Sequence, residues 1–95
     1  TLSDDERDRN RARNQRRRAV LAGADAEEFR PSEIYRREGW VCQLCGRPID
    51  PTLRFPDPWS ASLDHVIPIS LGGPHTRANT RASHLHCNSS RGNRV

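Results

Sequence analysis

Four residues, Cys42, Cys45, His84 and Cys87, constrain this chain more than anything else in it. They form a C-x2-C pair and an H-x2-C pair on either side of residues 46–83. Each pair is a chelate, and four soft or borderline donors suit a tetrahedral zinc ion with no open position. A closed site of this kind is structural: it ties the start of a domain to its end. His84 is the fourth ligand because only it, and not His86, keeps the x2 spacing to Cys87. The chain needs such a staple. It has 95 residues, 33% of them hydrophobic, which predicts one domain with a thin core. Three cysteines leave one unpaired in any disulfide scheme, which argues for a metal site in a reducing compartment.

Between the two chelates lies Leu63-Asp64-His65-Val66-Ile67-Pro68, and directly after the last ligand comes Asn88. Asp64 offers a hard carboxylate oxygen and Asn88 an amide oxygen, donors that suit Mg²⁺ or Mn²⁺. His65 offers a base whose ordinary pKa lies near neutrality. Adjacent residues on a regular strand point to opposite faces, so convergence of Asp64 and His65 requires a bend or a strand end. A carboxylate, an amide and a general base are what a one-metal phosphodiesterase uses. An isolated Asp-His pair is a weak signal; its place between the halves of the zinc site strengthens it.

The charge agrees with a polyanionic partner. All 16 basic residues are Arg, and the formal net charge is +4. Arg presents a planar fork that matches phosphate oxygens in pairs. A GC-rich coding sequence would also favour Arg, and composition alone leaves both explanations open. No apolar run approaches membrane-spanning length and no charged-then-apolar start marks a secretory signal. A soluble, cytoplasmic protein with no membrane contact is therefore expected.

The expected element order is helix, helix, knuckle, strand, loop, strand, helix. Ser3-Asp4-Asp5-Glu6 is a capping-box pattern that starts a helix over about residues 4–22, with Gly23 as its stop. This segment holds seven Arg against four acids and little apolar surface beyond Ala12 and Ala19 to Ala22. It reads as a basic helical arm over residues 1–30, either solvated or laid along a nucleic-acid backbone through Arg16, Arg17 and Arg18. Asp25 to Glu28 is an acidic patch that reads as a linker or a short turn. Pro31-Ser32-Glu33 starts a second helix with Ile34, Tyr35 and Trp40 on its apolar face. Gly46 permits the tight turn after Cys45. Four prolines exclude a helix over residues 47–60, a loop that Phe55 and Trp59 are expected to tack down. Strands are expected at Ala61 to Ile67, with a bend after His65, and at Thr80 to Ser83, with a turn through Gly72-Gly73-Pro74 and a last helix from Leu85 to about Gly92.

The run Cys42-x2-Cys45, Asp64-His65-Val66-Ile67-Pro68-Ile69-Ser70-Leu71-Gly72-Gly73, Asn79, His84-x2-Cys87-Asn88 and Arg91-Gly92 resembles the zinc-bearing HNH endonucleases. The resemblance covers about residues 32–94. It implies an α+β fold, the ββα-metal or His-Me finger, over residues 31–95. It implies His65 as general base, Asp64 as first metal ligand and Asn79 as the asparagine that holds the hairpin loop in register. Where many members carry the third letter as His, this chain has Asn88, as in the endonuclease VII branch, where Asn is a metal ligand. Arg91 is then placed to reach a phosphate; His75 and His86 receive no role. The implied activity is metal-dependent cleavage of DNA to 5′-phosphate and 3′-hydroxyl ends. Two alternatives stand beside it: a zinc-knuckle module that binds nucleic acid without catalysis, and an accessory protein of a phage packaging motor or terminase.

Overall fold

The structure, a computed structural model, describes residues 3–92; the outer ends of the two expected segments, residues 1–2 and 93–95, lie outside the described residues. Helix α1 runs Asp4–Leu21. Ser3 Oγ accepts from the Glu6 N–H at 3.2 Å, and the Ser3 N–H donates back to Glu6 Oε1 at 3.4 Å. Asp4, Asp5 and Glu6 thus lie at the positive end of the helix dipole.

A solvated arm is not what forms. Ala12 and Ala19 are buried, and α1 packs against helix α2, Pro31–Arg37. Small side chains let the two helices approach closely, so little apolar area is needed. Polar contacts complete the dock. Arg30, the N-cap of α2, makes no capping bond, and Asp8 of α1 takes over that task. Its carboxylate accepts from the Ser32 N–H at 3.2 Å and from the Ser32 hydroxyl at 2.6 Å. Arg30 in turn donates to Asp5 at 2.6 Å.

The segment Asp25 to Glu28, expected as a linker or a short turn, pairs with the distant residue His75. The His75 N–H donates to Asp25 O at 2.7 Å and the Glu27 N–H donates to His75 O at 2.8 Å, as in a short parallel bridge. Sequence patterning misses this because a single bridge has no periodicity.

Strands β1, Ala61–His65, and β2, Thr80–His84, form an antiparallel pair in the register Leu63↔Ala82 and Asp64↔Arg81. Leu63 and Ala82 face a core made of Phe29, Ile34, Tyr35, Cys42 and Ile49. The next pair, Asp64 and Arg81, points to the opposite side. Helix α3, Leu85–Arg91, covers that side, which completes a strand-strand-helix unit in an α+β fold. β1 ends at His65, where the bend was expected, two residues short of the full expected run. The Val66 N–H goes to Asn79 O at 2.9 Å, and the Ile67 N–H goes to the Asn79 side chain at 3.0 Å instead of a partner strand.

The loop between the strands closes on two devices. At Gly73 a Cβ would lie 1.8 Å from Ile67 O, so no other residue fits there without moving the backbone. Asn79, buried, accepts from Ile67 N–H and donates through Nδ2 to Ile67 O at 3.0 Å and Pro74 O at 2.8 Å. Asn79→Ala removes all three bonds and is expected to destabilise the domain by about 2–3 kcal/mol. Urea unfolding measures this, and an unchanged midpoint would show that the loop holds without the clamp.

Loop 47–60 corrects another expectation. Phe55 is 64% exposed and is no anchor, whereas Trp59, though 49% exposed, packs on the rings of His84 and His86 at 5.5 and 5.0 Å; the buried apolar residue of the loop is Ile49, at 3%. The loop serves α3 through its backbone. That helix has no side-chain cap, and its first N–H groups, of Leu85 and His86, donate to Ser60 O at 2.8 Å and Pro58 O at 2.7 Å. Among the described residues, no helix is long and apolar enough to cross a membrane.

Candidate active site and metal centre

The ligand atoms of Cys42, Cys45, His84 and Cys87 all lie within 4.8 Å of one another. Two turns bring them together. The turn 42–45 is closed by the Gly46 N–H on Cys42 O at 2.8 Å, with Gly46 at φ 79°. The second is the junction of β2 and α3, where His84 ends the strand and Cys87 lies on the first turn of the helix. The ring of His84 is oriented for ligation. Its Nε2 bonds Pro48 O at 3.1 Å, and its Nδ1 faces the Cys45 and Cys87 sulfurs at 3.4 and 3.8 Å.

The protonation of the thiols points the same way. Burial alone would push the Cys42 thiol up, but the backbone N–H groups of Cys45, His84 and Leu44 outweigh it, and its pKa falls to about 6. Cys87 goes the other way, up to about 12, through burial and its nearness to the Cys45 and Cys42 sulfurs. The cluster accepts one thiolate readily and resists accumulating negative charge. A dication supplies the missing compensation, and the donor set is one that zinc fits.

On the α3 side of the hairpin, Asp64 is 1% exposed and both of its oxygens are engaged. Its cross-strand partner Arg81 donates to Oδ2 through Nε at 2.6 Å, and Arg91 of α3 donates to Oδ1 at 2.9 Å. Arg91 also donates to His65 O at 2.9 Å and Val66 O at 2.6 Å. It therefore ties α3 to the end of β1, a contact that a reading of Arg91 as a phosphate ligand leaves out. Asn88, one turn before Arg91, donates through Nδ2 to Ser62 Oγ at 3.0 Å and Leu63 O at 3.2 Å. Asn88 is thus anchored to the residues just before Asp64. The carboxylate and amide oxygens fit a hard divalent ion in kind. An ion on Asp64 has to share it with two guanidinium groups.

The His65 side chain follows a different path. Its Nε2 lies 2.9 Å from Nδ1 of His75. Burial, with the neighbouring His75 adding to it, lowers its pKa to about 4, against an opposing pull from Asp64. His65 is therefore a neutral imidazole at neutral pH, the form a general base needs. Arg16, Arg17 and Arg18 are exposed on α1.

Two participants were not legible in the sequence. Arg81 is one, although a correct strand register would have placed it opposite Asp64. The other is His75, for which sequence spacing offered no signal. A family model described as HNH endonuclease matches residues 42–94. No curated protein and no solved structure matches the chain.

Proposed function

Because this chain belongs to the HNH endonuclease family, we propose that it hydrolyses phosphodiester bonds of DNA with His65 as general base. One observation carries the reading: the partly exposed imidazole of His65 stands at the end of β1, next in sequence to a buried carboxylate. His65 takes a proton from a water molecule as that water attacks phosphorus, and the 3′-oxygen of the preceding nucleotide leaves, which yields 5′-phosphate and 3′-hydroxyl ends. Asp64 and Asn88 would hold the divalent ion, Mg²⁺ or Mn²⁺, which when bound stabilises charge on the phosphate and on the leaving oxygen. Asn79 keeps the loop after His65 in place through its bonds to Ile67 and Pro74. The zinc site holds the two segments that carry these residues at a constant separation.

Supercoiled plasmid incubated with the protein and Mg²⁺ or Mn²⁺ tests this. Conversion to nicked or linear DNA is expected, with loss on EDTA and recovery on adding the ion back. The engagement of Asp64 by Arg81 and Arg91 favours one other reading, a module that binds nucleic acid without cutting it. Binding without nicking under any divalent ion decides for that reading.

In both cases α1 contributes electrostatics. Replacing Arg16, Arg17 and Arg18 with Gln is expected to weaken DNA binding and to lower the slope of log affinity against log salt by about 2 to 3. A slope equal to the parent's would assign those arginines to something other than phosphate.

A further inference from the structure

His75 is held more tightly than a loop residue needs to be. It is 0% exposed. Its ring stacks on Phe29, with centroids 4.6 Å apart and planes within 16°. Its N–H and C=O are bonded to Asp25 and Glu27 on either side of the bridge. The carbonyl just before it, Pro74 O, is held by Asn79. The seat is thus built from residues 25–29, which the family match does not cover, and from the loop itself. Of the two ring nitrogens, Nδ1 faces His65 Nε2 at 2.9 Å, and Nε2 is buried with no partner among the described residues. The ring therefore has one polar contact, and that contact is the candidate base.

Resting on the nuclease reading above, we infer that His75 is a positioning residue for His65: it accepts the Nε2–H of His65 and leaves Nδ1 as the nitrogen that takes the proton from water. A neutral imidazole carries one N–H. With that proton on Nε2 of His65, the Nδ1 lone pair is free. With the opposite tautomer, His65 carries its proton on Nδ1 and accepts from His75 at Nε2, and neither nitrogen serves as a base. The competent form leaves the Nε2–H of His75 without an acceptor among the described residues. That cost falls on the resting state, and the gain comes during the reaction. After proton transfer His65 is an imidazolium whose Nε2–H is a charge-assisted donor, and the neutral Nδ1 of His75 is already in line to accept it. The bond is strongest when the base has taken its proton, so it acts on the rate and not on substrate binding. Arg77, whose guanidinium lies 5.3 Å from the Phe29 ring centre, and Glu27 border the seat, but the aromatic stack separates His75 from solvent.

The test uses His75→Phe, which keeps a ring against Phe29 and removes the acceptor, and His75→Asn, whose amide oxygen can take the place of Nδ1. Plasmid nicking by zinc-loaded protein is expected to lose kcat by roughly 10²-fold in His75→Phe, with KM and DNA affinity near the parent's. His75→Asn is expected to recover much of that loss. A His75→Phe enzyme with the parent's kcat, or a loss in which KM rises and kcat stays, overturns the inference. A second measurement needs neither a variant nor activity. In ¹⁵N-histidine spectra of the zinc-loaded parent, His65 is expected to carry its proton on Nε2, with Nδ1 bare. A proton on Nδ1 overturns the assignment even if both variants fail to fold. A parent that does not nick at all counts against the nuclease reading, while the tautomer still answers for His75.

Discussion

Removing zinc from the Cys42, Cys45, His84 and Cys87 cluster is expected to unfold the strand-strand-helix unit, not merely to loosen it. Binding of structural zinc carries an apparent free energy of about 10–16 kcal/mol near neutral pH. Domains of this size have a total stability of about 5–15 kcal/mol. The rest of the fold has little to set against that loss. Among the described residues the central buried cluster is Phe29, Ile34, Tyr35, Cys42, Ile49, Leu63 and Ala82, and Cys42 is itself one of the four candidate ligands. Cys42→Ala therefore removes a ligand, a core side chain and the sulfur that accepts the Cys45 and His84 N–H groups at 3.4 Å. Elemental analysis of the parent is expected to return close to one zinc per chain. Circular dichroism of Cys42→Ala, or of the parent after strong chelation, is expected to show no cooperative thermal transition. A metal-free chain that still melts cooperatively near the parent's temperature would show that the core suffices without the ion.

His65→Ala is expected to reduce plasmid nicking by roughly 10²- to 10⁴-fold, the contribution typical of a positioned general base. Zinc content and DNA affinity are expected to stay near the parent's, with a modest loss of stability, about 1–3 kcal/mol, because Nδ1 of buried His75 loses its partner. His65 is partly exposed, and its side chain makes one hydrogen bond, to His75. Its removal leaves the apolar cluster intact and perturbs only the seat of His75. Asp64 is a poorer choice for the same test. It is buried between Arg81 and Arg91, and truncating it removes the one carboxylate that both guanidinium groups share. Breaking a buried pair in that way costs about 3–5 kcal/mol, so lost activity in Asp64→Ala would not separate chemistry from folding. Nicking by His65→Ala at the parent's rate would place the base elsewhere.

These two experiments rest on parts of the molecule that differ in how visible they are in the amino-acid order. The four-donor cluster is legible because chelation is local: two donors three positions apart already define a turn, and the second pair repeats the device. The caps and stops are legible for the same reason. Ser3 with Glu6, Pro31 and Gly46 each act on backbone groups within a few residues. The strand after residue 60 is legible from its apolar run, and so is the need for a bend after His65, but the contact that ends it is not. Where β1 stops depends on Asn79, far along the chain, taking the Ile67 N–H.

The longer the sequence separation of a contact, the less of it could be read. The docking of α1 rests on Asp8 reaching Ser32 and on two alanines, features too small to mark a buried face. The tacking of loop 47–60 was assigned to the large aromatics Phe55 and Trp59 because size suggests burial. Trp59 does pack on His84 and His86, but Phe55 does not anchor the loop, and the fold adds backbone carbonyls there, which side-chain identity does not encode.

By itself the sequence determined which atoms can hold a metal, which imidazole adjoins a carboxylate, and the order of strands and helices. Those depend on spacing and on side-chain chemistry, both local. Only the tertiary structure decided that Asp64 meets Arg81 and Arg91, and that His65 meets His75 above Phe29. Those meetings follow from strand register, from the side α3 covers and from a single bridge between residue 26 and residue 75. Register and packing are settled by the energy of the whole assembly, and no short stretch of the chain carries that information.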